Sequence, residues 1–412
     1  MAKLSVDRLQ PGIFISLAGI GWLDHPFLLN RFVLSTPAQI KLLREMGLTE
    51  VEWDPARSTA QPLPENTPVE EELDFSGQAL GHMLDAKRDR AAKVRAQREG
   101  LARSERLYEQ ETAALGEILR ELGPRPNEAH AKARSMVGRV VGGLLEAESV
   151  AVHLVNMKAK EAGLAHHGMN VMVIALLIGK EAKLSEEDLR SVGLGALFHD
   201  VGKTEIPAMV LRNTARTPSE EQFYQAHVGY GIKNVAGVRE MTTAVRNIIA
   251  CHHEAWDGEG FPNRLAGAKI PRLARIVALA NRYDNLCNPF DIKAAKTPAE
   301  AVAHMFKREA GRFDPELLQI LVKAMGVYPP GCFVSLNNGS VGLVVETNSR
   351  QLLRPLVMLY DASVPRQEAL LLDLAETDIA VEGALSPAKL PVEVVEYLAP
   401  RGRVDYYIQG VN

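Results

Sequence analysis

The spacing of apolar side chains changes character several times along the chain. From Leu4 to Asp54, short β-like runs (Gly12 to Leu17, Arg31 to Leu34, Val51 to Trp53) surround one helical stretch, Pro37 to Met46, opened by Ser35 or Thr36 as an N-cap. Residues 1–56 are therefore expected to form a small α+β module. Pro55 to Glu72 is rich in Pro, Ser, Thr and Glu with little periodicity, which predicts a linker over 57–77. Over 78–126 a charged, Ala-rich helical pattern, AKRDRAAKVRAQREGLARSERLYEQ, runs up to Gly123 and Pro124. Its apolar stripe is thin, so a solvated connector helix is expected, with a dimerising helix pair, and hence a homodimer, as the alternative. From Asn127 to about Met325 nearly every window shows helical spacing, as in Val171, Ile174, Ala175 and Ile178, so 127–326 is expected to be all-helical. After Tyr328, PPGCFVSLNNGSVGLVVET alternates around Asn337, Asn338 and Gly339, a hairpin signal. Val357 to Tyr360 and Leu370 to Leu372 add further strands, making 327–412 a small β-rich module. The fold class expected is thus multidomain, an all-α core flanked by two small modules.

Composition narrows the classes. An apolar fraction of 46% and a charged fraction of 24% in 412 residues allow each unit a real core. The net charge of −4 offers no basic field for nucleic acid. The longest apolar stretch, Val171 to Ile178, falls far short of the roughly 20 residues that span a bilayer, and the start of the chain lacks a signal-peptide run. A cytoplasmic protein without membrane insertion is expected. Cys251, Cys287 and Cys332 lack CxxC spacing, which argues against a disulfide framework or a zinc ribbon. Neither a GxxxxGK[ST] loop nor a GxSxG elbow is present.

The chemistry concentrates in the helical stretch. Six of the eleven histidines, His166, His167, His199, His227, His252 and His253, fall within one short part of it. Neutral imidazoles with a carboxylate suit Mn, Fe or Zn, and helices aiming such groups inward are a common way to build a dimetal site. In GALFHDVGK, His199 and Asp200 follow Leu194, Leu197 and Phe198, so a polar pair ends a buried helix, where metal or hydrogen bonds must compensate it. Lys203, one turn on, can place an ammonium near a scissile phosphate. In CHHEAWDGEGFP, tandem His252 and His253 cannot share one helix face, yet both can reach a cavity at a helix end. The following Asp257, Gly258, Gly260 and Pro262 impose a turn-rich loop.

HDVGK, the isolated His227 in QAHVGYG, HHEAWDGEGFP and IPRLARIVALANRYDNL together resemble the HD-GYP subgroup of the HD phosphohydrolase superfamily, from roughly His167 to Pro315 and ending in GRFDP. The leading residues, with LQPGIFI and GWLDHPF, are similar to a small domain of unknown function that often precedes HD-GYP domains. The resemblance implies an all-α HD-type core holding divalent ions, Fe or Mn. It also implies hydrolysis of cyclic di-GMP, or a related cyclic dinucleotide, to the linear dinucleotide and commonly on to GMP. By position it makes His167, His199, Asp200, His227, His252 and His253 metal ligands, with Asp200 bridging. Asn281 stands where a ligand carboxylate is expected, followed by Asp284. Asp200 and Lys203 become the catalytic residues, and Lys203, Phe261 and Lys293 the substrate contacts; His166 matches no ligand. The signature Gly-Tyr-Pro is Gly260, Phe261 and Pro262 here, Phe290 replaces an arginine, and Gly163 lacks the glutamate some members use for a third metal. Two ions are therefore expected. The alternatives are a cyclic-dinucleotide-binding module with little catalysis, and an adaptor recruiting diguanylate cyclases of the GGDEF type.

Overall fold

A computed structural model describes residues 2–17, 20, 25–27, 29–64, 77–146, 149–155, 163–348, 350–362, 364–366, 369–399 and 404–411. The chain divides into two compact units, residues 1–99 with 337–340 and 361–371, and the remainder.

The N-terminal alternation forms β1 (Ala2–Ser5), β2 (Phe14–Ser16) and β3 (Arg31–Val33), followed by α1 (Pro37–Glu45) and β4 (Glu50–Trp53). The antiparallel strands run in the order β1-β4-β2-β3 over a core that includes Leu4, Ile13, Ile15, Leu43 and Val51. Gln39 Oε1 accepts the Thr36 backbone N–H at 3.2 Å, closing the start of α1. The module continues past residue 56. Thr59 N donates to Gly12 O at 2.8 Å and Leu63 N to Arg8 O at 2.9 Å, so an aperiodic segment finds its backbone partners on the module. Residues 65–76 of the expected linker lie outside the described residues.

The charged stretch is one helix, α2 (Gly77–Glu121). Ser104, Tyr108, Thr112, Leu115 and Ile118 recur at three- and four-residue spacing, and all five are buried. Tyr108, Leu115 and Ile118 join the main helical core. The expected solvated connector is corrected for these turns: dense charge on the outer faces conceals a narrow but fully buried stripe.

The main unit continues through α3 (Pro126–Glu146), β5 (Ser149–Val155), α4 (Leu164–Glu181), α5 (Glu186–Phe198), α6 (Ala208–Arg212) and α7 (Pro218–Gln225). It then runs through α8 (His227–Asn234), α9 (Thr243–Cys251), α10 (Arg272–Cys287), α11 (Pro298–Arg308) and α12 (Pro315–Met325). After these come β6 (Phe333–Leu336), β7 (Val341–Glu346), β8 (Leu356–Leu359), β9 (Leu371–Asp373), β10 (Val381–Leu385), α13 (Val392–Leu398) and β11 (Asp405–Val411). Helix α4 is apolar on every side and buried continuously from Gly168 to Gly179, which makes it the central rod. Helix α5 starts at Ser185, whose hydroxyl accepts from Asp188 N at 3.1 Å, and carries three acidic residues in its first turn, Glu186, Glu187 and Asp188.

The run expected to be helical throughout is interrupted by β5. Its SVAVHLV is β-branched and alternating, a short strand signal hidden between long helical windows. It pairs along its whole length with β11, in a sheet ordered β10-β6-β7-β5-β11, with β8 paired to β7 and β9 to β8. The C-terminal strands are also joined to the helical core. Tyr406 of β11 is fully buried among the helices, with its hydroxyl 2.8 Å from that of Tyr283. All three cysteines are buried and unpaired. Among the described residues no helix is long and apolar enough to cross a membrane.

Leu115→Ala decides the status of α2. A core position should lose about 2–5 kcal/mol in a urea melt, as other large-to-small core changes do, whereas a surface connector would change by less than about 0.5 kcal/mol.

Candidate metal centre

Helix ends build the site. The last carbonyls of a helix have no intrahelical partner, and three imidazoles use them. His199 follows α5 and donates Nδ1–H to Ala196 O at 2.7 Å. His252 follows α9 and donates to Ile249 O at 2.9 Å, and His227, at the α7–α8 junction, to Tyr224 O at 2.6 Å. Each bond fixes the tautomer and turns Nε2 inward. His167 lies in the first turn of α4, where free N–H groups rather than free carbonyls are found. Its Nδ1–H donates instead to Asp284 Oδ2 of α10, at 2.6 Å.

The inward nitrogens surround Asp200. Its Oδ2 lies 3.4 Å from His167 Nε2 and 3.3 Å from His199 Nε2. Its Oδ1 lies 3.5 Å from His227 Nε2 and 3.6 Å from His252 Nε2. One carboxylate thus presents one oxygen to each of two imidazole pairs. Asp200, His227, His252 and His253 form one group able to hold an ion, and His167, His199 and Asp200 a second, with ligand atoms in each group within 4.8 Å of one another. Asp200 Oδ1 and His253 Nε2 are buried without a hydrogen-bond partner, a costly state for polar atoms that a cation would relieve. The donor set fits divalent ions of the Mn, Fe and Zn class.

Two glycines allow this approach. A Cβ on Gly202 would lie 1.9 Å from His227 O and 2.4 Å from Gly231 N, so the turn after Asp200 can reach α8 only without a side chain. A Cβ on Gly260 would lie 2.3 Å from Ala255 N and 2.6 Å from His253 O, so the loop after the paired histidines folds back onto them. Glu254 ties that loop down, accepting from Asn263 N at 2.7 Å and Leu265 N at 2.8 Å. Phe261 stacks on His253 with ring centroids 4.5 Å apart, a contact that needs the ring but not a hydroxyl.

The charges follow from these contacts. Burial alone would raise the Asp200 carboxyl, but the neighbouring His199, the Lys203 ammonium and the hydrogen bond from His167 hold it well below the usual range. Lys203 Nζ donates to Asp200 Oδ2 at 2.5 Å; that carboxylate and Tyr224 outweigh burial and keep the ammonium charged. Burial lowers His199 to about 4 and His227 to about 3. Burial also disfavours charge on His167, yet bonds to Asp200 and Asp284 raise it to about 9.

A cavity of about 570 Å³ opens beside the cluster, lined among others by Lys203, Arg216, Tyr224, Asn281, Arg282 and Phe290. Asn281 sits in its wall, and its Oδ1 accepts from Asn285 Nδ2 at 2.5 Å. His166 lines the cavity and belongs to neither group, while Lys293 is exposed on the turn after α10 and is not among the lining residues. Several residues of the site carry no motif. The Arg216 guanidinium lies 3.9 Å over the Tyr224 ring. Asn170, 1% exposed, donates to Asp284 Oδ1 at 2.9 Å. The signal for Asn170 was present: a lone amide in the apolar run MNVMVIALL, one turn after His167.

The HD domain matches residues 146–317, and a domain of unknown function, DUF3391, matches residues 1–133. Every imidazole and carboxylate of the two ligand groups lies in the first of these ranges. Over 365 residues the chain is 29% identical to a cyclic di-GMP phosphodiesterase of Pseudomonas aeruginosa, covering 87% of this chain and 85% of that protein. It is 34% identical over 152 residues to a cyclic di-GMP phosphodiesterase response regulator of Xanthomonas campestris, covering 36% of this chain and 40% of that one. A 3'3'-cGAMP-specific phosphodiesterase of Vibrio cholerae is 31% identical over 170 residues, covering 40% of this chain and 33% of that one.

The His167 pKa gives a signed prediction. It lies above the ordinary 6.5, so the proton stabilises the metal-free fold below that pH, and the contribution is lost as pH rises through about 9. A metal must displace this proton, whereas His199 and His227 are already neutral. Loading metal-free protein at about pH 7.5 should release close to one proton from this set, falling away above about pH 9. Calorimetry in buffers of different ionisation enthalpy measures it.

Proposed function

We propose that this chain, which belongs to the HD-domain family and carries a DUF3391 domain ahead of it, is a metal-dependent phosphodiesterase acting on cyclic di-GMP. The observation that carries the proposal is the division of Asp200, one oxygen toward His167 and His199 and the other toward His227 and His252. That is the arrangement a carboxylate needs to bridge two ions. The substrate class follows from the cyclic di-GMP phosphodiesterase relative that matches along most of the chain. Iron or manganese suits the mixed imidazole and carboxylate donors.

When bound, a pair of divalent ions supplies a water of lowered pKa and takes up charge on the phosphoryl oxygens. The chain does the rest. His167, His199, His227, His252 and His253 present ring nitrogens, and Asp200 supplies the negative charge between them. Lys203, buried and charged at the cavity wall, offers an ammonium to a non-bridging phosphate oxygen. A cyclic dinucleotide carries a second phosphodiester, and Arg216, braced over Tyr224 in the same cavity, is the group proposed to meet it. Phe261 acts as the prop for His253 and thus only indirectly on substrate.

A weakly catalytic, dinucleotide-binding form is the second reading. It is favoured by Asn281, whose oxygen is neutral and already accepts from Asn285, and by Phe290, an exposed ring on the cavity wall where the resemblance expects an arginine.

Anaerobically purified protein, analysed for metal and then incubated with cyclic di-GMP or 3'3'-cGAMP, separates these readings by product chromatography. The linear dinucleotide from cyclic di-GMP is expected; binding without product supports the second reading. His199→Ala and Asp200→Ala should lose metal and hydrolysis together while keeping their helical circular dichroism. Lys203→Ala should keep metal and lose about 10²–10³ in rate, the scale for removing one transition-state charge donor. Asn281→Asp adds a negative charge in the cavity wall and should raise metal content and turnover; unchanged metal content and rate would remove Asn281 from the metal centre.

A further inference from the structure

Three of the four imidazoles facing Asp200 are oriented by a carbonyl three residues earlier in the chain, and His167 is not. Its orientation rests on Asp284, and Asp284 is held in turn. Asp284 Oδ1 accepts from Asn170 Nδ2 at 2.9 Å and from Asn288 Nδ2 at 2.9 Å. Asn170 is the centre of the cluster. Its Nδ2 also donates to Asp405 Oδ1 at 3.0 Å, and its Oδ1 accepts Tyr108 O–H at 2.9 Å and Tyr406 N–H at 3.2 Å. Tyr108 O–H lies 3.3 Å from Asp405 Oδ1, closing a triangle. Asn288 grips the same strand, donating to Val404 O at 2.7 Å and accepting from Val404 N at 2.9 Å.

Tyr108 comes from α2 and Asp405 from β11, and both lie outside the range matched by the HD domain. We infer that Asp405 and Tyr108 are positioning residues for the ion held by His167, His199 and Asp200, acting through Asn170 and Asp284, so that one metal position is completed only when α2 and the C-terminal strand are docked. An amide has two rotational states about its last torsion. With Asp405 and Tyr108 in place, Asn170 has its nitrogen toward Asp284 and its oxygen toward Tyr108. Without them, only the Tyr406 N–H and a 3.4 Å contact to Val404 O distinguish oxygen from nitrogen on that side, and the donor to Asp284 is held less firmly. The second position, lined by His227, His252 and His253, contains no member of this chain of contacts and keeps its affinity.

The inference rests on the metal-dependent reading, and the test separates the two. Divalent manganese is titrated anaerobically into full-length, metal-stripped protein, with binding followed by calorimetry and by the electron paramagnetic resonance of free manganese. Asp405→Ala should weaken one of two sites by about 10- to 100-fold, as changes behind a metal ligand do, and leave the other unchanged. Asp405→Asn keeps an oxygen for Asn170 and Tyr108 and should restore binding to within about threefold, whereas Asp405→Leu, which fills the space without an acceptor, should not. Should Asp405→Ala fail to fold, Tyr108→Phe removes a single hydroxyl and should weaken the same site by about two- to tenfold. Two wild-type affinities in Asp405→Ala or Tyr108→Phe would overturn the inference, as would equal weakening of both sites. A wild-type protein that takes up no divalent ion would instead remove the proposed function.

Discussion

A carboxylate that is 4% exposed, with five histidines gathered around it, cannot be left to its own charge. Burying an ionised group without compensation costs several kcal/mol, and Lys203 engages only one of the two oxygens. Most of the surrounding structure is arranged to satisfy the remainder. Helix α5 ends where it does because Asp200 must sit at a helix terminus rather than along a packed face. Gly202 lets the next turn reach α8, and Gly260 folds the following loop back over His253. The apolar rod α4 supplies the rigid wall from which His167 projects.

The orientation of the imidazoles follows from a general property of helices. Free carbonyls exist only in the last turn, so a histidine just past a helix end finds an acceptor for Nδ1–H without any help from another element. A histidine in a first turn has none. That asymmetry explains why His199, His227 and His252 are locally determined while His167 needs Asp284, and why the buried polar cluster around Asn170 lies behind that one ligand. Isolated buried polar groups destabilise a fold, but a fully connected network fixes one arrangement among several.

Much of this was legible along the chain because polar pairs stand out against apolar helices. His199 with Asp200, and His252 with His253, each follow a buried helix and had no structural explanation except a site. The spacing of Asn281 and Asp284 likewise put two polar groups on one face of α10. What stayed hidden was hidden for physical reasons. The stripe of Tyr108, Leu115 and Ile118 is narrow, and dense charge on the exposed faces of α2 lowers its contrast. Strand β5 is seven residues between two long helices, too short to outweigh their periodicity. Tyr108 and Asp405 meet at a separation of 297 positions, and only tertiary pairing brings them together.

The same facts bear on modularity. A helical domain bounded at 127–326 would contain every imidazole of the cluster, which makes it look self-sufficient as a string of motifs. It would leave β5 without β11, remove Tyr406 from a core it fills completely, and leave Asn170 without Tyr108 and Asp405. A backbone edge stripped of its partner and a buried amide stripped of two partners are both unfavourable on their own. Motif boundaries and folding boundaries therefore differ here: the ligands belong to one stretch of sequence, whereas the groups that hold one of them in place come from both sides of it.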